Sequence, residues 1–458
     1  MNSFRLAIPL IIAQIGQMTM GIVDTYVVGQ YHYLELAGVA AGNGIFWPIV
    51  VICFGFTLGL ETCVSHSHGN NNWQERDSYL CSALILAFML TVAGMIIMFL
   101  IISAYPNLGT HPDVVDKTIP YLKVVVWSFP SLIFFNVIQR YWQAQGITIL
   151  ITLFMIVANI LNYYLSTILV NGDGLIPPLG AVGAGYATVI MRCLLLLAII
   201  MLTAVICYRR SQKITIFNNS SQLIASLRKL LTIGIPAGGQ IVVELSVFAL
   251  STFFMSYFGS KLVSAHHIVL TLSSFAFMFP LGLASSTAIV VGHYFGKGQI
   301  HRAVRIGWLN IFSSTFIMGL FSTILVLFPL TFFSFFTHEE DILNASMSII
   351  FIVSAFQVFD GVQVVATGAL RGIGNTKMAL ISNLISHYII GLPISMILCF
   401  TFEMNLSGVW IGLAAGLILN SFLITFYWHR LSTQSLSQKY VIKKDDPPYP
   451  PVKATSSQ

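Results

Sequence analysis

Four acidic side chains stand inside long apolar stretches of the sequence: Asp24, Glu61, Glu244 and Asp360. A charged side chain at membrane depth costs at least ~2.5–3.5 kcal/mol on insertion scales, so its presence calls for a reason. A carboxylate in a low-dielectric cavity can be neutralised by a proton, by Na⁺ or by a cationic organic molecule, and these compete for it. Such competition is sufficient for antiport. The pattern predicts a cation-coupling site at Asp24, Glu244 and Asp360, with a purely structural role in helix packing as the alternative.

Polar residues in the same apolar stretches could support such sites. Amide and hydroxyl oxygens suit Na⁺, and a histidine can exchange a proton near neutral pH. Ordinary hydrogen bonding between membrane helices is the alternative role for each of them. The candidates for cation or substrate support are Gln17, Asn159, Asn162, Thr188 and His387.

The amino-acid composition predicts that most of the chain lies within a membrane. Of the 458 residues, 56% are hydrophobic and only 8% are charged, whereas soluble domains carry about 25% charged residues. These values exclude a soluble multidomain enzyme, a disordered chain and a nucleic-acid-binding protein. A membrane helix needs about 20 mostly apolar residues. Twelve such runs are predicted, at about 5–30, 36–65, 79–105, 119–142, 147–170, 179–208, 229–257, 262–292, 303–336, 345–369, 379–402 and 406–429.

The connectors between these runs predict the orientation of the chain. The N-terminus, the even-numbered connectors and the C-terminal tail hold 18 of the 22 basic residues. Basic residues concentrate on the cytoplasmic side of membrane proteins. We therefore expect both termini to be cytoplasmic, in a multi-pass protein of the bacterial inner membrane.

The two halves of the sequence resemble each other. Alignment of Pro9 with Pro236 also places the segment 64–69 on 291–296, and we call this pairing of the halves the repeat alignment. Equivalent positions are separated by six spans. Because six is even, the two repeats have the same orientation in the membrane. Parallel repeats of this kind are found in secondary transporters. The expected fold is all-α and membrane-integral, with twelve transmembrane helices in two six-helix, parallel-repeat lobes. The predicted divisions are an N-terminal lobe over 1–208, a cytoplasmic connector over 209–228, a C-terminal lobe over 229–430 and a polar, disordered cytoplasmic tail over 431–458.

Several long motifs resemble the multidrug and toxic compound extrusion (MATE) transporters, closest to their NorM-like bacterial branch. The resemblance spans about residues 5–430, and each motif falls in the expected span of the expected half. The most specific is the stretch from Asp360 to Gly372. The motifs that carry the resemblance are 13–25, 234–244, 277–293, 360–372 and 391–393.

The resemblance implies two lobes around a central cavity that opens alternately to either side. It implies export of small organic cations, such as drugs and dyes, in exchange for Na⁺ or H⁺. Family members place coupling acids where Asp24, Glu244 and Asp360 stand. An asparagine that the family usually has one turn before Asn162 falls here on Ala158. We expect no cofactor, no resident metal, no nucleic-acid partner, contact with the lipid bilayer and a monomer.

Two alternatives stay open at this point. A flippase for lipid-linked sugars can share this repeat architecture, but it should line its cavity with basic residues, and Arg192 is the only deep one. A membrane-embedded enzyme belongs to a different class. Its only candidate group is Glu61 with His66 and His68, whose spacing matches no known metal site, and Glu61 could instead be interfacial. An antiporter, and not an enzyme, is the favoured interpretation.

Overall fold

A computed structural model describes residues 3–107, 111–173, 177–209 and 220–436 of the chain. Twelve of its helices are long and apolar enough to cross a membrane, which confirms the number of predicted spans. They are α1 (Ser3–Tyr31), α2 (Tyr33–Gly69), α3 (Trp73–Ala104), α4 (Pro112–Ala144), α5 (Ile149–Asn171), α6 (Ala181–Arg209), α7 (Ser220–Met255), α8 (Ser260–Gly296), α9 (Ile300–Leu327), α10 (Ile350–Gly372), α11 (Lys377–Thr401) and α12 (Asn405–Leu436).

Short turns and helices interrupt or join these spans. Single 3-10 turns follow α3 and α7 and divide α4 in the middle. Two short helices, Pro329–Phe333 and Glu340–Ser348, connect α9 to α10. The predicted ninth run, 303–336, is therefore too long: α9 stops at Leu327, because Pro329 cannot continue the ladder of hydrogen bonds.

Parts of the predicted connector and of the predicted tail are helical in the structure. Helix α7 begins at Ser220, so residues 220–228 of the predicted connector are helical. Its polar residues extend the helix beyond the apolar run, which hydropathy alone does not detect. Helix α12 likewise continues to Leu436. Residues 210–219 and the predicted tail from 437 onward lie outside the described residues.

The spans pack as two lobes, α1–α6 and α7–α12, and each lobe has a large cluster of buried apolar side chains. One cluster of buried side chains joins Phe46, Phe129 and Trp142 in the N-terminal lobe. Another joins Phe333, Phe356 and Trp410 in the C-terminal lobe. Because the number of spans is even, Ser3 and Leu436 lie on the same face of the bundle, which we call the terminal face.

Helices from the two lobes meet in matching pairs. A methyl group added at Gly55 would lie 2.6 Å from Cα of Gly238, and one added at Gly282 would lie 2.6 Å from Cα of Ile11. The repeat alignment converts the first contact into the second. The contacts thus follow the two-fold relation expected of parallel repeats.

The contacts that we find between the lobes lie between the terminal face and the middle of the spans. The Thr62 hydroxyl donates to the carbonyl oxygen of Arg371 (2.8 Å), and the Ser286 hydroxyl donates to that of Ser3 (2.8 Å). Ser78 and Ser226 join α3 to α7 with their hydroxyl oxygens 3.0 Å apart. This arrangement closes the terminal face.

Candidate functional site

The Asp24 carboxylate accepts three hydrogen bonds inside the N-terminal lobe. Asn162 Nδ2 donates to Oδ1 at 2.8 Å, and the Ser166 hydroxyl donates to the same oxygen at 2.9 Å. The Thr188 hydroxyl donates to Oδ2 at 2.7 Å. Asp24 is buried, and its donors come from α5 and α6. Two of the predicted support residues, Asn162 and Thr188, are therefore brought to the predicted acid.

A buried guanidinium stands near this carboxylate. Arg192 lies close enough to attract Asp24 electrostatically. Its Nη1 donates to the Ser128 hydroxyl at 2.6 Å, and its guanidinium carbon is 5.0 Å from the centre of the Phe46 ring. Arg192 thus supplies a fixed positive charge to the interior of the N-terminal lobe.

The other two predicted supports of the N-terminal lobe do not reach Asp24. Asn159 Nδ2 donates to the carbonyl oxygens of Gly16 (3.0 Å) and Met155 (2.8 Å). Gln17 lines a small internal cavity together with Met155 and Arg192. Asn159 follows the family's missing position by one residue, and one residue turns a side chain about 100° around a helix. The structure assigns Asn159 to the contact between α1 and α5.

The acids of the C-terminal lobe have a different environment. Glu244 on α7 is partly exposed, and Asp360 on α10 is buried. They are close enough to repel each other electrostatically. Gln363 Nε2 lies 3.4 Å from Glu244 Oε1. In the described part of the chain no basic side chain pairs with either acid, so their charge is balanced far less than that of Asp24.

His387 on α11 is buried near these helices but contacts neither acid by a hydrogen bond. Neither of its ring nitrogens has a hydrogen-bond partner among the described residues. Nδ1 points at α12, where a methyl group added at Gly416 would lie 3.2 Å away. The predicted support role of His387 is therefore not a direct contact with a carboxylate.

Glu61 belongs to an ion-pair network between the lobes. Its carboxylate accepts a hydrogen bond from Arg140 of its own lobe, and its Oε2 lies 3.7 Å from Arg371 Nη2 of the other lobe. His66 Nε2 is 2.6 Å from the carbonyl oxygen of Gly372. Glu61 is thus buried and paired. Among the described residues no group of three or more His, Cys, Asp or Glu side chains could hold a metal ion.

Sequence reasoning missed Ser166, Gln363 and the two arginines that pair with Glu61, Arg140 and Arg371. Ser166 stands four positions after Asn162 and Gln363 three after Asp360, so both lie on the faces of the residues already chosen, and helical spacing could have found them. Arg371 could not have been found in this way, because its pairing with Glu61 depends on the packing of the lobes.

The sequence matches the family model described as MatE over residues 9–168 and 236–397. The chain belongs to the MATE family of multidrug efflux transporters. Its relatives include the "Probable multidrug resistance protein NorM" of Mannheimia succiniciproducens, 28% identical over 445 residues, with 94% of each chain covered. The "Multidrug resistance protein NorM" of Photobacterium profundum is 28% identical over 437 residues, which cover 94% of this chain and 95% of that one. The chain is a NorM-like member of the family.

Solved MATE structures have the same fold. The eukaryotic MATE transporter AtDTX14 superimposes with a TM-score of 0.85 at 17% identity, covering 95% of this chain and 97% of that one. A multidrug resistance MATE family transporter in an outward-facing conformation gives a TM-score of 0.85 at 20% identity, covering 94% and 96%. The two-lobe, twelve-helix prediction is confirmed. The relatives are transporters, which are not enzymes, and the chain is a multi-pass membrane protein.

Proposed function

We propose that this protein is a secondary active antiporter that exports organic cations in exchange for Na⁺ or H⁺ by alternating access. The observation that carries the proposal is the pair Glu244 and Asp360: two neighbouring carboxylates, one buried and one partly exposed, with no basic partner in the described part of the chain. Two acids in this position repel each other unless a cation or proton neutralises them. Asp24, with its donors Asn162 and Thr188, is the coupling site of the other lobe.

The exchange follows from competition for this negative charge. An organic cation that enters the cavity displaces the bound proton or Na⁺, and the returning ion displaces the organic cation. One elementary charge that moves through ~100 mV releases about 2.3 kcal/mol. One or two ions per cycle are enough to drive substantial accumulation outside the cell.

Charge distribution supports a cytoplasmic terminal face in the bacterial inner membrane. Of the 22 basic residues, 18 lie in the termini and the even-numbered connectors, which belong to that face. Such an excess favours the cytoplasmic side. With this orientation, lobes joined at the terminal face correspond to the outward-facing half of the cycle. We further propose that the transporter works as a monomer without a cofactor, with its lobes over 1–208 and 229–430.

The test is efflux of ethidium from proteoliposomes that contain the purified protein. A Na⁺ gradient at equal pH and a pH gradient without Na⁺ are imposed separately. We expect one of them to drive efflux. Neither gradient driving efflux would contradict the proposal and would make transport of lipid-linked sugars the next activity to measure.

Two variants test the acids directly. Glu244→Gln and Asp360→Asn remove the negative charge with little change of shape, and each is expected to lower efflux at least tenfold without loss of folded protein. Asp341→Asn is the matched control, because Asp341 is exposed beside Lys261 outside the lobe interior. Wild-type efflux by both acid variants would overturn the assignment.

A further inference from the structure

Buried polar side chains with unpartnered atoms gather inside the C-terminal lobe. Each of these side chains is at least nine-tenths buried. Each also has at least one nitrogen or oxygen atom that lacks a hydrogen-bond partner among the described residues. They come from α10, α11 and α12: Gln357, Asn383, Ser386, His387 and Asn420.

Three of these side chains share one helix interface. Asn383 and His387 are four residues apart on α11, so they lie on one face of that helix. Asn420 lies four residues after Gly416 on α12, and Gly416 is the residue that His387 Nδ1 faces. The Ser382 hydroxyl donates to Asn420 Oδ1 at 2.6 Å, which fixes the register of the two helices. We call the part of the α11–α12 interface that Asn383, His387 and Asn420 line the polar space.

This space lies at the depth of the acidic pair. The Tyr388 hydroxyl, next to His387, is 2.7 Å from the hydroxyl of Ser246, which stands two residues after Glu244. Gln357, with both amide atoms unpartnered among the described residues, lies one helical turn before Asp360. The polar side chains of α11 and α12 and the acids of α7 and α10 thus occupy one level of the lobe.

The N-terminal lobe has an apolar side chain at one of these positions. Gly146 and Gly374 precede α5 and α11 with nearly equal backbone angles, φ 87° and 84°. Alignment of these two glycines places Met155 where Asn383 stands. Met155 is a buried thioether on the wall of the small N-terminal cavity. The same alignment places Asn159 where His387 stands, so the two lobes differ here at the position of Asn383.

An unpaired buried polar atom costs about 1–3 kcal/mol, so several of them in one space require a ligand. Amides and an imidazole present both donors and acceptors at short range, which suits water. They carry no negative charge for a metal cation. We propose that Asn383, His387 and Asn420 form a site for ordered water molecules, and that this water hydrates the nearby acids Glu244 and Asp360.

The water site is tested by hydroxyl-radical labelling of the full-length protein, in which X-rays generate radicals from bound water and mass spectrometry locates the oxidised side chains. His266 is the matched control in the same lobe. It is 0% exposed against 3% for His387, but Thr252 and Trp410 bind its two ring nitrogens at 3.2 Å. We expect His387 to be oxidised at least tenfold faster than His266. Equal rates would overturn the site.

A variant of the protein then tests which side chains hold the water. Asn420→Leu fills the space with an apolar side chain and removes one of the three polar groups. Oxidation of His387 should then fall at least threefold, while that of His266 should not change. Unchanged oxidation of His387 would show that its water is held elsewhere and would overturn the assignment of Asn420.

The role given to the water, unlike the site itself, rests on the proposed function. His387→Leu should lower ethidium efflux to less than a third of the wild-type rate, whereas His387→Asn should keep at least two thirds of it. Equal efflux by His387→Leu would overturn the hydration role even if His387 is labelled. Wild-type efflux by Glu244→Gln and Asp360→Asn would instead overturn the proposed function and leave the labelling result unaffected.

Discussion

Gly69 of the N-terminal lobe packs directly against the main chain of His293 in the C-terminal lobe. A methyl group added at Gly69 would lie 2.2 Å from the carbonyl oxygen of His293, and one added at Gly296 would lie 2.3 Å from that of His66. The repeat alignment converts each contact into the other. At this crossing, α2 and α8 close the terminal face as two halves of a pseudo-symmetric interface.

Gly69→Ala should oppose closure of the terminal face. The added methyl group cannot occupy its position without moving a backbone carbonyl, and overpacking of this kind costs about 1–3 kcal/mol. Since about 1.4 kcal/mol is a factor of ten in an equilibrium constant, the ratio of closed to open molecules should fall roughly tenfold. Distances between spin labels on α2 and α8 at the terminal face should lengthen, and ethidium efflux should fall.

The control for this substitution is on the same helix. Nothing lies within 4 Å of a methyl group added at Gly44. Gly44→Ala should therefore leave both the label distances and the efflux as in the wild type. If Gly69→Ala behaved like Gly44→Ala, the crossing would not limit closure.

Glu61→Gln should also destabilise the closed terminal face, but through a different contact between the lobes. The variant leaves Arg140 and Arg371 without their buried counter-ion, and removal of one partner from a buried ion pair typically costs about 3–5 kcal/mol. We expect a lower Tm and a larger open population at the terminal face. Arg371→Gln combined with Glu61→Gln should restore part of the Tm, because the double variant buries one charge fewer. A strictly additive loss would argue against direct coupling.

An exposed ion pair gives the comparison for Glu61. Lys261 contacts Asp341 with both side chains more than half exposed. Exposed pairs contribute little to stability and are screened by salt. Asp341→Asn should change Tm much less than Glu61→Gln does, and a drop of equal size would mean that burial of the Glu61 network is not what stabilises the closed face.

The sequence predicts the architecture more completely than the sites, for physical reasons. Hydropathy depends on local composition, so the twelve spans can be predicted directly. The two lobes follow from the similarity of the two halves of the sequence. The donors to Asp24 follow in part, because Asn162 and Thr188 are polar residues in apolar helices. The pairing of Glu61 with Arg371 does not follow, since it joins residues far apart in the sequence across a lobe interface. The neighbourhood of Arg192 and Asp24 likewise depends on how α1 packs beside α6.

The donors to Asp24 should contribute to stability because hydrogen bonds to a buried charged group are worth about 1.5–3 kcal/mol each. Ser166→Ala and Thr188→Val each remove one donor and should lower the Tm of the purified protein by several degrees. Thr167→Ala is the control beside them, because its exposed hydroxyl donates to the carbonyl oxygen of Tyr163 within the same helix. A Tm for Ser166→Ala no lower than that of Thr167→Ala would contradict the stabilising role of these donors.

The two asparagines of α5 should have different roles, although they are close neighbours on one helix. Asn162 donates to Asp24, whereas Asn159 donates to the carbonyl oxygens of Gly16 and Met155. Asn162→Ala should therefore reduce the coupling of efflux to the ion gradient at least fivefold. Asn159→Ala leaves the hydrogen bonds to Asp24 intact and should lower Tm while retaining most of the efflux per folded molecule. Efflux and Tm are measured on the same preparation, and a greater loss of coupling in Asn159→Ala than in Asn162→Ala would place the functional contact at Gly16 instead of Asp24.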